Sequence, residues 1–232
     1  MLDAHNPILR NLRDFLGLLE SKGELTRIGE PVSTVLEMTE LHRRVIARQG
    51  PVLLFERPIK ADGSPSELPL LTNLFGTVER VSMAIGGSGR EALRGVGEKL
   101  AELRHPIPPS GLRDLVKKWP LARAALHSRP CEISQAPVQA VIRRGADIDL
   151  GSLPVQTCWP GEPAPLMTWP IVITRPPGQI DGQTHNWGIY RMQVTGRDSA
   201  IVRWLANRGG AMHFGQWQSK GEPMPIAVAI GA

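Results

Sequence analysis

The chain has 232 residues, of which 41% are apolar, 21% are charged and 5% are aromatic, and its formal net charge is +5. This composition excludes disorder as the main state of the chain, because it supplies enough apolar surface for one large domain or two small ones. The positive charge favours anionic partners, but the basic residues are spread along the chain and aromatic residues are few, which argues against nucleic-acid binding.

The first half of the chain alternates helix and strand patterns, as an α/β domain does. Apolar residues at helical spacing predict an amphipathic helix over residues 11–22, and Gly23 follows it as a C-terminal stop. Thr34 and Glu37 have the spacing of a capping box, which predicts the start of a second helix that ends before Gly50. The remaining patterns predict strands over 24–28, 52–55 and 68–72 and helices over 78–85, 90–104 and 112–126.

The pattern changes after residue 127, where a domain boundary is predicted. The segment 105–111 is rich in proline and glycine, as linkers and domain edges are. Beyond the boundary, strand patterns separated by turn-rich segments predict a β-barrel or sandwich, with strands over 138–143, 169–174, 189–195, 201–205 and 226–230. The interpretation is an α/β domain over 1–127 followed by a β domain over 128–232.

The last predicted strand suggests whether the chain is complete, and the cysteines and the N-terminal sequence suggest its cellular compartment. The strand over 226–230 has no turn or helix after it, so it is expected to stop in the middle of a sheet, and the chain is interpreted as truncated. The alternative is a short protein whose last strand closes the sheet. Cys131 and Cys158 form no CxxC pair, no signal peptide is recognisable and no apolar run reaches membrane-spanning length, so a cytoplasmic, soluble protein is expected.

The densest functional pattern lies between residues 184 and 211. Because strand residues alternate between faces, Ile189 and Arg191 are expected on one face and Tyr190 on the other. Arginines beside a Gly-Gly turn favour phosphate binding, since guanidinium groups match phosphate oxygens and glycine lets backbone N–H groups approach closely. The alternative is a set of solvated arginines beside an ordinary hairpin turn. The segments are Thr184-His-Asn-Trp-Gly-Ile-Tyr-Arg191, Arg203-Trp-Leu205 and Arg208-Gly-Gly-Ala211.

These segments and several others resemble the UbiD family of decarboxylases. The resemblance covers essentially the whole chain, and within the family it is closest to the bacterial branch of the ubiquinone pathway. Besides the segments between 184 and 211, it is carried by Leu12-Arg-Asp-Phe-Leu-Gly-Leu-Leu-Glu-Ser-Lys-Gly-Glu-Leu25, Leu71-Thr-Asn-Leu-Phe-Gly76 and Leu153-Pro-Val-Gln-Thr-Cys-Trp-Pro160.

The resemblance implies a carboxy-lyase that acts on a polyprenylated 4-hydroxybenzoate in ubiquinone biosynthesis. It implies prenylated FMN as cofactor and a divalent metal, usually manganese, that bridges to the flavin phosphate. The α/β domain would precede a flavin-reductase-like split β-barrel, which is expected to be incomplete in this chain. Implied partners are an aromatic carboxylate substrate, a flavin prenyltransferase that supplies the cofactor, and further copies of the chain in a homo-oligomer. Peripheral contact with the inner face of the cell membrane is left open.

Carried over position by position, the resemblance also implies roles for single residues. Asn186 corresponds to a metal ligand, and an amide oxygen is an acceptable ligand for Mn²⁺ or Mg²⁺. Arg191 corresponds to a catalytic arginine that acts with two acidic residues. Those acidic residues have no counterpart in the sequence, so the chain by itself is expected to be inactive. The implied flavin contacts are Ile189, Tyr190, Arg191, Arg203, Trp204, Leu205, Arg208 and Gly209.

Three other interpretations were weighed beside these roles. For His185 and His213, surface or packing roles are favoured over metal binding, because no paired metal-ligand spacing is present. A flavin- or phosphate-binding split-barrel protein without decarboxylase activity is the main alternative function. An assembly or regulatory module is the other.

Overall fold

The computed structural model describes residues 9–104, 119, 133–178 and 184–231. They divide into two compact units. One contains Leu9 and the described residues of Thr77–Val141, and the other contains Arg10–Gly76 and the described residues of Ile142–Ala232. The predicted linker over 105–111, the boundary after residue 127 and nearly all of the predicted helix over 112–126 lie outside the described residues, so the division at residue 127 stays a prediction.

Helices and strands occur in both halves of the chain. The α-helices are α1 (Leu12–Ser21), α2 (Glu37–Ala47), α3 (Val78–Ala84), α4 (Gly89–Arg104) and α5 (Gly209–Ser219). The strands are β1 (Leu25–Ile28), β2 (Val32–Ser33), β3 (Val52–Phe55), β4 (Pro58–Ile59), β5 (Leu70–Thr72), β6 (Leu166–Met167), β7 (Ile171–Thr174), β8 (Asn186–Ile189), β9 (Met192–Val194), β10 (Ala200–Val202) and β11 (Ile226–Ala229). Among the described residues, the predicted helices of the first half are confirmed within two residues, apart from the start of α2. The three strands predicted there are confirmed as β1, β3 and β5, whereas the short strands β2 and β4 were not predicted.

The strands form four small sheets, and none of them closes into a barrel within the described residues. Their orders are β1-β3-β5, β10-β9-β6, β11-β7-β8 and β2-β4. β1 runs parallel to β3, whereas β7 pairs antiparallel with both β11 and β8. The expected mixture of helices and sheets is confirmed, and the split barrel stays a prediction. No helix of the described residues is long and apolar enough to cross a membrane.

Two apolar cores lie in the unit that contains the strands. The first consists of Val32, Met38, Leu53 and Phe55, and it packs α2 against β3. The second consists of Met167, Val172, Tyr190 and Met192. Because Tyr190 also belongs to the densest functional pattern of the sequence, this second core supports the candidate site directly.

The first helix begins at a side-chain cap. Asn11 Oδ1 accepts a hydrogen bond from the backbone N–H of Asp14 at 3.0 Å, and so satisfies one of the N–H groups that an α-helix leaves without a partner at its start. Phe15 and Leu19 are buried on the opposite side of this helix from its exposed charges.

We expect Asn11→Ala to lower the free energy of unfolding by about 1 kcal/mol, because it removes the cap. Urea denaturation followed by circular dichroism measures the change. Asn11→Ser keeps a capping oxygen and should recover most of the loss. If both variants lost the same free energy of unfolding, the hydrogen bond of the cap would not contribute to stability.

The predicted capping box at the start of α2 is wrong. The N-cap is Leu36, with a φ of 64° and no side-chain cap. Thr34 is held by backbone partners distant in sequence: its N–H donates to the Ile59 carbonyl at 2.8 Å, and its carbonyl accepts from the Thr157 N–H at 3.1 Å. The Glu37 carboxylate accepts instead from the Ser33 N–H at 2.7 Å. Pairing of the backbone at Thr34 thus moves the start of the helix to Glu37.

The strand predicted over 138–143 is also wrong. Residues Pro137–Gln139 form a short 3-10 helix, in which Pro137 takes a first-turn position that needs no N–H donor. Val138 and Val141 are 86% and 78% exposed, so no neighbouring element buries them. A run of β-branched residues without a partner strand does not form a strand here.

The strand predicted over 189–195 is two strands. β8 ends at Ile189 and pairs with β7, whereas β9 begins at Met192 and pairs with β6 and β10. The chain therefore passes from one sheet to another at Tyr190 and Arg191. The apolar pattern did not reveal this change, because the alternation between buried and exposed side chains continues through it.

Candidate functional site

The segment from Asn186 to Met192 presents its side chains alternately to two faces. Tyr190 and Met192 are buried and Asn186 is half-buried, whereas Ile189 and Arg191 are exposed. The predicted separation of Tyr190 from its two neighbours is confirmed. The candidate site residues thus divide into an inner group and an outer group.

The inner group is organised around the Tyr190 hydroxyl. This oxygen accepts a hydrogen bond from the backbone N–H of Gly210 at 2.9 Å, and it lies 3.3 Å from Asn186 Nδ2, which donates to it. Tyr190 is only 7% exposed, and its bond to Gly210 is shielded from water. Tyr190 therefore connects the first residue of β8 to the first turn of α5.

Three glycines allow the side chains of Tyr190 and Asn186 to lie this close to the backbone. A Cβ at Gly188 would lie 2.5 Å from Tyr190 Cε2, and one at Gly210 would lie 2.9 Å from the Tyr190 hydroxyl oxygen. A Cβ at Gly209 would collide with Asn186 Oδ1. Real side chains do not tolerate such distances, so these positions accept only glycine without rearrangement. Gly209 was predicted as a site residue, whereas Gly188 and Gly210 were not.

Aromatic packing holds the tyrosine ring in place. Trp204 meets Tyr190 edge to face, with ring centroids 5.0 Å apart and planes at 65°. On its other side, Trp204 stacks on Phe214 of α5 at 6.1 Å. Trp204 is half-buried and contacts the second apolar core. Phe214 was not predicted as a site residue, and its helical position four residues after Gly210 is the one sequence signal that places it on the same side of α5.

The outer group contains two arginines that face each other across β9 and β10. Arg203 N–H donates to the Arg191 carbonyl at 3.4 Å, which extends the β9–β10 pairing by one position. Directly opposed residues share a face, so the two exposed guanidinium groups project from the same surface. Like charges in this arrangement are destabilising unless an anion lies between them. Ile189 and Leu205 are also exposed, at 52% and 47%.

The start of α5 adds a third basic group. Arg208 is the N-cap of α5, is exposed and provides no side-chain cap to the helix. The N-terminus of a helix carries partial positive charge and free N–H groups, which favour anions. Among the ion pairs of the described residues, none involves Arg191, Arg203 or Arg208. These guanidinium groups are therefore available for an external anion.

Two histidines lie at the edge of the inner group. His213 Nδ1 is 2.9 Å from Thr174 Oγ1, and Thr174 pairs with Asn186 in the β7–β8 register. Burial lowers the pKa of His213, a hydrogen bond to the Thr174 backbone opposes this change, and the nearby charge of His185 lowers the pKa further. Among the residues that the structure describes, no group of three or more His, Cys, Asp or Glu side chains is arranged to hold a metal.

The structure thus brings four of the predicted site residues together in one cluster and leaves the others exposed. Asn186, Tyr190, Trp204 and Gly209 form the inner cluster, and Ile189, Arg191, Arg203 and Leu205 lie on the outer surface, with Arg208 beside Gly209 at the start of α5. The metal and flavin roles assigned to these residues stay predictions.

Comparison with solved structures identifies proteins with the same fold. The UbiD-class enzyme HmfF from Pelotomaculum thermopropionicum in complex with FMN is 31% identical, with a TM-score of 0.70 over 95% of this chain and 42% of its own. An evolved dimeric form of that enzyme in complex with prFMN is 30% identical, with a TM-score of 0.72 over 97% and 45% of the two chains. Vanillic acid decarboxylase from Sedimentibacter hydroxybenzoicus, in closed form, is 21% identical with a TM-score of 0.77 over 97% and 43%, a likeness of fold alone. The chain thus spans less than half the length of these proteins.

Family models match most of the sequence. Residues 16–100 match the N-terminal domain of 3-octaprenyl-4-hydroxybenzoate carboxy-lyase, and residues 130–232 match its Rift-related domain. Both models describe the same enzyme, and they match this chain in the order of their domains. The chain belongs to the UbiD family of carboxy-lyases.

Proposed function

We propose that this chain contributes the flavin- and metal-binding part of a decarboxylase site that acts on an aromatic carboxylate. The observation that carries the proposal is the arrangement around Tyr190, which places a potential metal ligand, Asn186, against the start of α5 beside Arg208. An amide oxygen, a helix N-terminus and a basic side chain are together the groups that a metal-bound phosphate requires.

The residues of the inner cluster fit a divalent metal of the hard type. Asn186 Oδ1 offers the neutral oxygen that Mn²⁺ and Mg²⁺ accept, and we propose Mn²⁺ as the native ion. One amide oxygen is too small a ligand set for tight binding. We therefore propose that the flavin phosphate and acidic residues from outside these 232 residues complete the coordination. This chain covers only 42% and 45% of the two HmfF chains, which supports the proposal that further ligands come from outside these 232 residues.

The outer group fits the rest of the cofactor and the substrate. Ile189 and Leu205 are exposed apolar side chains, and we propose that the planar flavin ring covers them. Arg203 and Arg208 are available for phosphate oxygens, and Arg191 is available for the substrate carboxylate. We propose a complete domain of the flavin-reductase-like split-barrel type as the setting of these residues.

The chemistry explains why such a cofactor is needed. When carbon dioxide leaves an aromatic ring, the ring carbon retains an electron pair, and protein side chains offer no electron sink for it; prenylated FMN supplies that sink when it is bound. The part of this chain is to orient the substrate. The Arg191 guanidinium would hold the carboxylate by two parallel N–H···O bonds until the carbon–carbon bond breaks. The acid that protonates the ring belongs outside the described residues.

Further features of the proposal come from the family. We propose a polyprenylated 4-hydroxybenzoate of ubiquinone biosynthesis as substrate, a flavin prenyltransferase as the source of cofactor, and a homo-oligomer as the working form. Peripheral contact with the inner face of the cell membrane would suit such a lipid-like substrate. The family descriptions support the choice of substrate, and the dimeric relative supports the oligomer.

A second candidate is a flavin- or phosphate-binding protein without decarboxylase activity. It is favoured by one observation: within the described residues, no carboxylate forms an ion pair with Arg191. The described residues therefore contain no acidic partner that contacts the proposed catalytic arginine. The anion-binding groups would serve both candidates equally well, so an experiment must separate binding from turnover.

Copurification provides that experiment. We expect the protein expressed from its complete gene together with a flavin prenyltransferase to contain prenylated FMN and near-stoichiometric divalent metal, and to release carbon dioxide from a prenylated 4-hydroxybenzoate. Mass spectrometry, metal analysis and a carbon dioxide assay measure the three quantities. Bound flavin without carbon dioxide release would favour the second candidate, and absence of flavin would favour an assembly module.

A further inference from the structure

We infer that Tyr190 is a positioning residue, whose hydroxyl fixes the orientation of the Asn186 amide so that its oxygen is presented to the metal. The inference rests on the proposed function, because it requires Asn186 to be a ligand. It gives Tyr190 a role different from the flavin contact that the family resemblance implies.

An asparagine ligand needs such help. The oxygen and nitrogen of its amide occupy nearly equivalent positions, but only the oxygen has lone pairs for a cation. A rotation of the amide by half a turn would point two N–H groups at the metal and abolish binding. Another group must therefore hold the amide in one of its two orientations.

Two neighbours together select the orientation. The Tyr190 hydroxyl oxygen accepts from Gly210 N–H at 2.9 Å and lies 3.3 Å from Asn186 Nδ2, on the side where the amide nitrogen donates. Asn186 Oδ1 lies on the other side, against Gly209, the first residue of α5. The N–H groups at the start of a helix favour an oxygen there and disfavour an amide nitrogen.

The hydroxyl is itself fixed. The Tyr190 ring is buried, packs against the edge of Trp204 at 5.0 Å, and has no space beside Gly188 or Gly210 for even one added carbon atom. The ring therefore cannot move away while Asn186 rotates. A bond of 3.3 Å from a fixed partner is enough to bias an amide whose other side faces a helix terminus.

The test removes the hydroxyl and keeps the ring. In the protein from its complete gene, with FMN present, Mn²⁺ affinity is measured from the loss of the free-ion signal in electron paramagnetic resonance. We expect Tyr190→Phe to weaken Mn²⁺ binding about 10-fold or more, the range typical of groups that orient a metal ligand. In the Asn186→Ala background, the same change should have no further effect, because no amide remains to be oriented.

Two further variants control for stability and for the chemistry of the ligand. Leu53→Ala damages the first apolar core, which does not contain Tyr190, so it should lower the Tm and leave Mn²⁺ affinity unchanged. Asn186→Asp replaces the amide with a carboxylate, which presents an oxygen in either orientation. In that background, Tyr190→Phe should weaken Mn²⁺ binding less than it does in the parent protein.

The outcomes separate this inference from the proposed function. Parent-like affinity in Tyr190→Phe with weak binding in Asn186→Ala would overturn the inference and leave Asn186 as a ligand. Parent-like affinity in Asn186→Ala would remove Asn186 from the metal site and overturn both. Additional weakening by Tyr190→Phe in the Asn186→Ala background, or an equal loss of Mn²⁺ affinity in Leu53→Ala, would also overturn the inference, because the effect would then not act through the amide.

Discussion

Arg191→Ala is expected to lower kcat/KM for decarboxylation by roughly 30-fold to 10³-fold, which corresponds to the loss of about 2 to 4 kcal/mol from a preorganised charge contact. The guanidinium is exposed on the outer surface, and no described carboxylate neutralises it, so it is available to the substrate carboxylate. Flavin retention should fall much less, because Arg203 and Arg208 remain. Steady-state rates and flavin content of the purified protein measure both effects.

Two variants serve as controls for this prediction. Arg197→Ala removes the same charge from an exposed turn between β9 and β10, and it should change neither turnover nor flavin content. Asn186→Ala should show the reverse pattern, with loss of metal and flavin and therefore of activity. If Arg191→Ala and Asn186→Ala gave equally small effects, both role assignments would be wrong.

Gly209→Ala is expected to abolish metal retention while the fold survives. An alanine Cβ would overlap the Asn186 amide, and the side chain of Asn186 is the group best able to move away. The proposed ligand would therefore leave its position between Tyr190 and α5. Metal analysis of the purified protein measures the loss, and circular dichroism checks the fold.

Gly215→Ala is the matched control on the same helix. A Cβ at Gly215 would meet nothing within 4 Å, and alanine is favoured over glycine inside a helix by roughly 1 kcal/mol. This variant should therefore raise the Tm slightly and retain metal. Normal metal content in Gly209→Ala would show that Asn186 does not need its observed position, and would argue against the site as proposed.

Local patterns predicted much of this structure, because they arise from neighbouring residues. The apolar spacing between Leu12 and Leu19 sets one face of α1, and that face is buried in the structure. The alternation from Asn186 to Met192 likewise separated the two faces of the site correctly. These features depend on backbone geometry alone, which sequence spacing reports directly.

The errors came from partners distant in sequence. Thr34 does not cap α2 because its backbone forms hydrogen bonds with Ile59 and Thr157. The residues next to Thr34 in sequence give no indication of these distant bonds. The strand predicted over 138–143 is wrong for the opposite reason, since no strand of the described residues pairs with this segment. The sequence likewise did not predict that the Gly210 N–H donates to the Tyr190 hydroxyl, because the two residues are twenty positions apart.

The passage of the chain between sheets at Tyr190 has a mechanical consequence. Asn186 belongs to the sheet of β7 and β8, whereas Arg191 and Arg203 follow the pairing of β9 and β10. Tyr190 lies in neither strand, so its hydroxyl bond to Gly210 ties the junction of the two sheets to α5. Rotation of one sheet against the other would strain this hydrogen bond, so Tyr190 helps to keep the Asn186 amide at a constant distance from the two guanidinium groups.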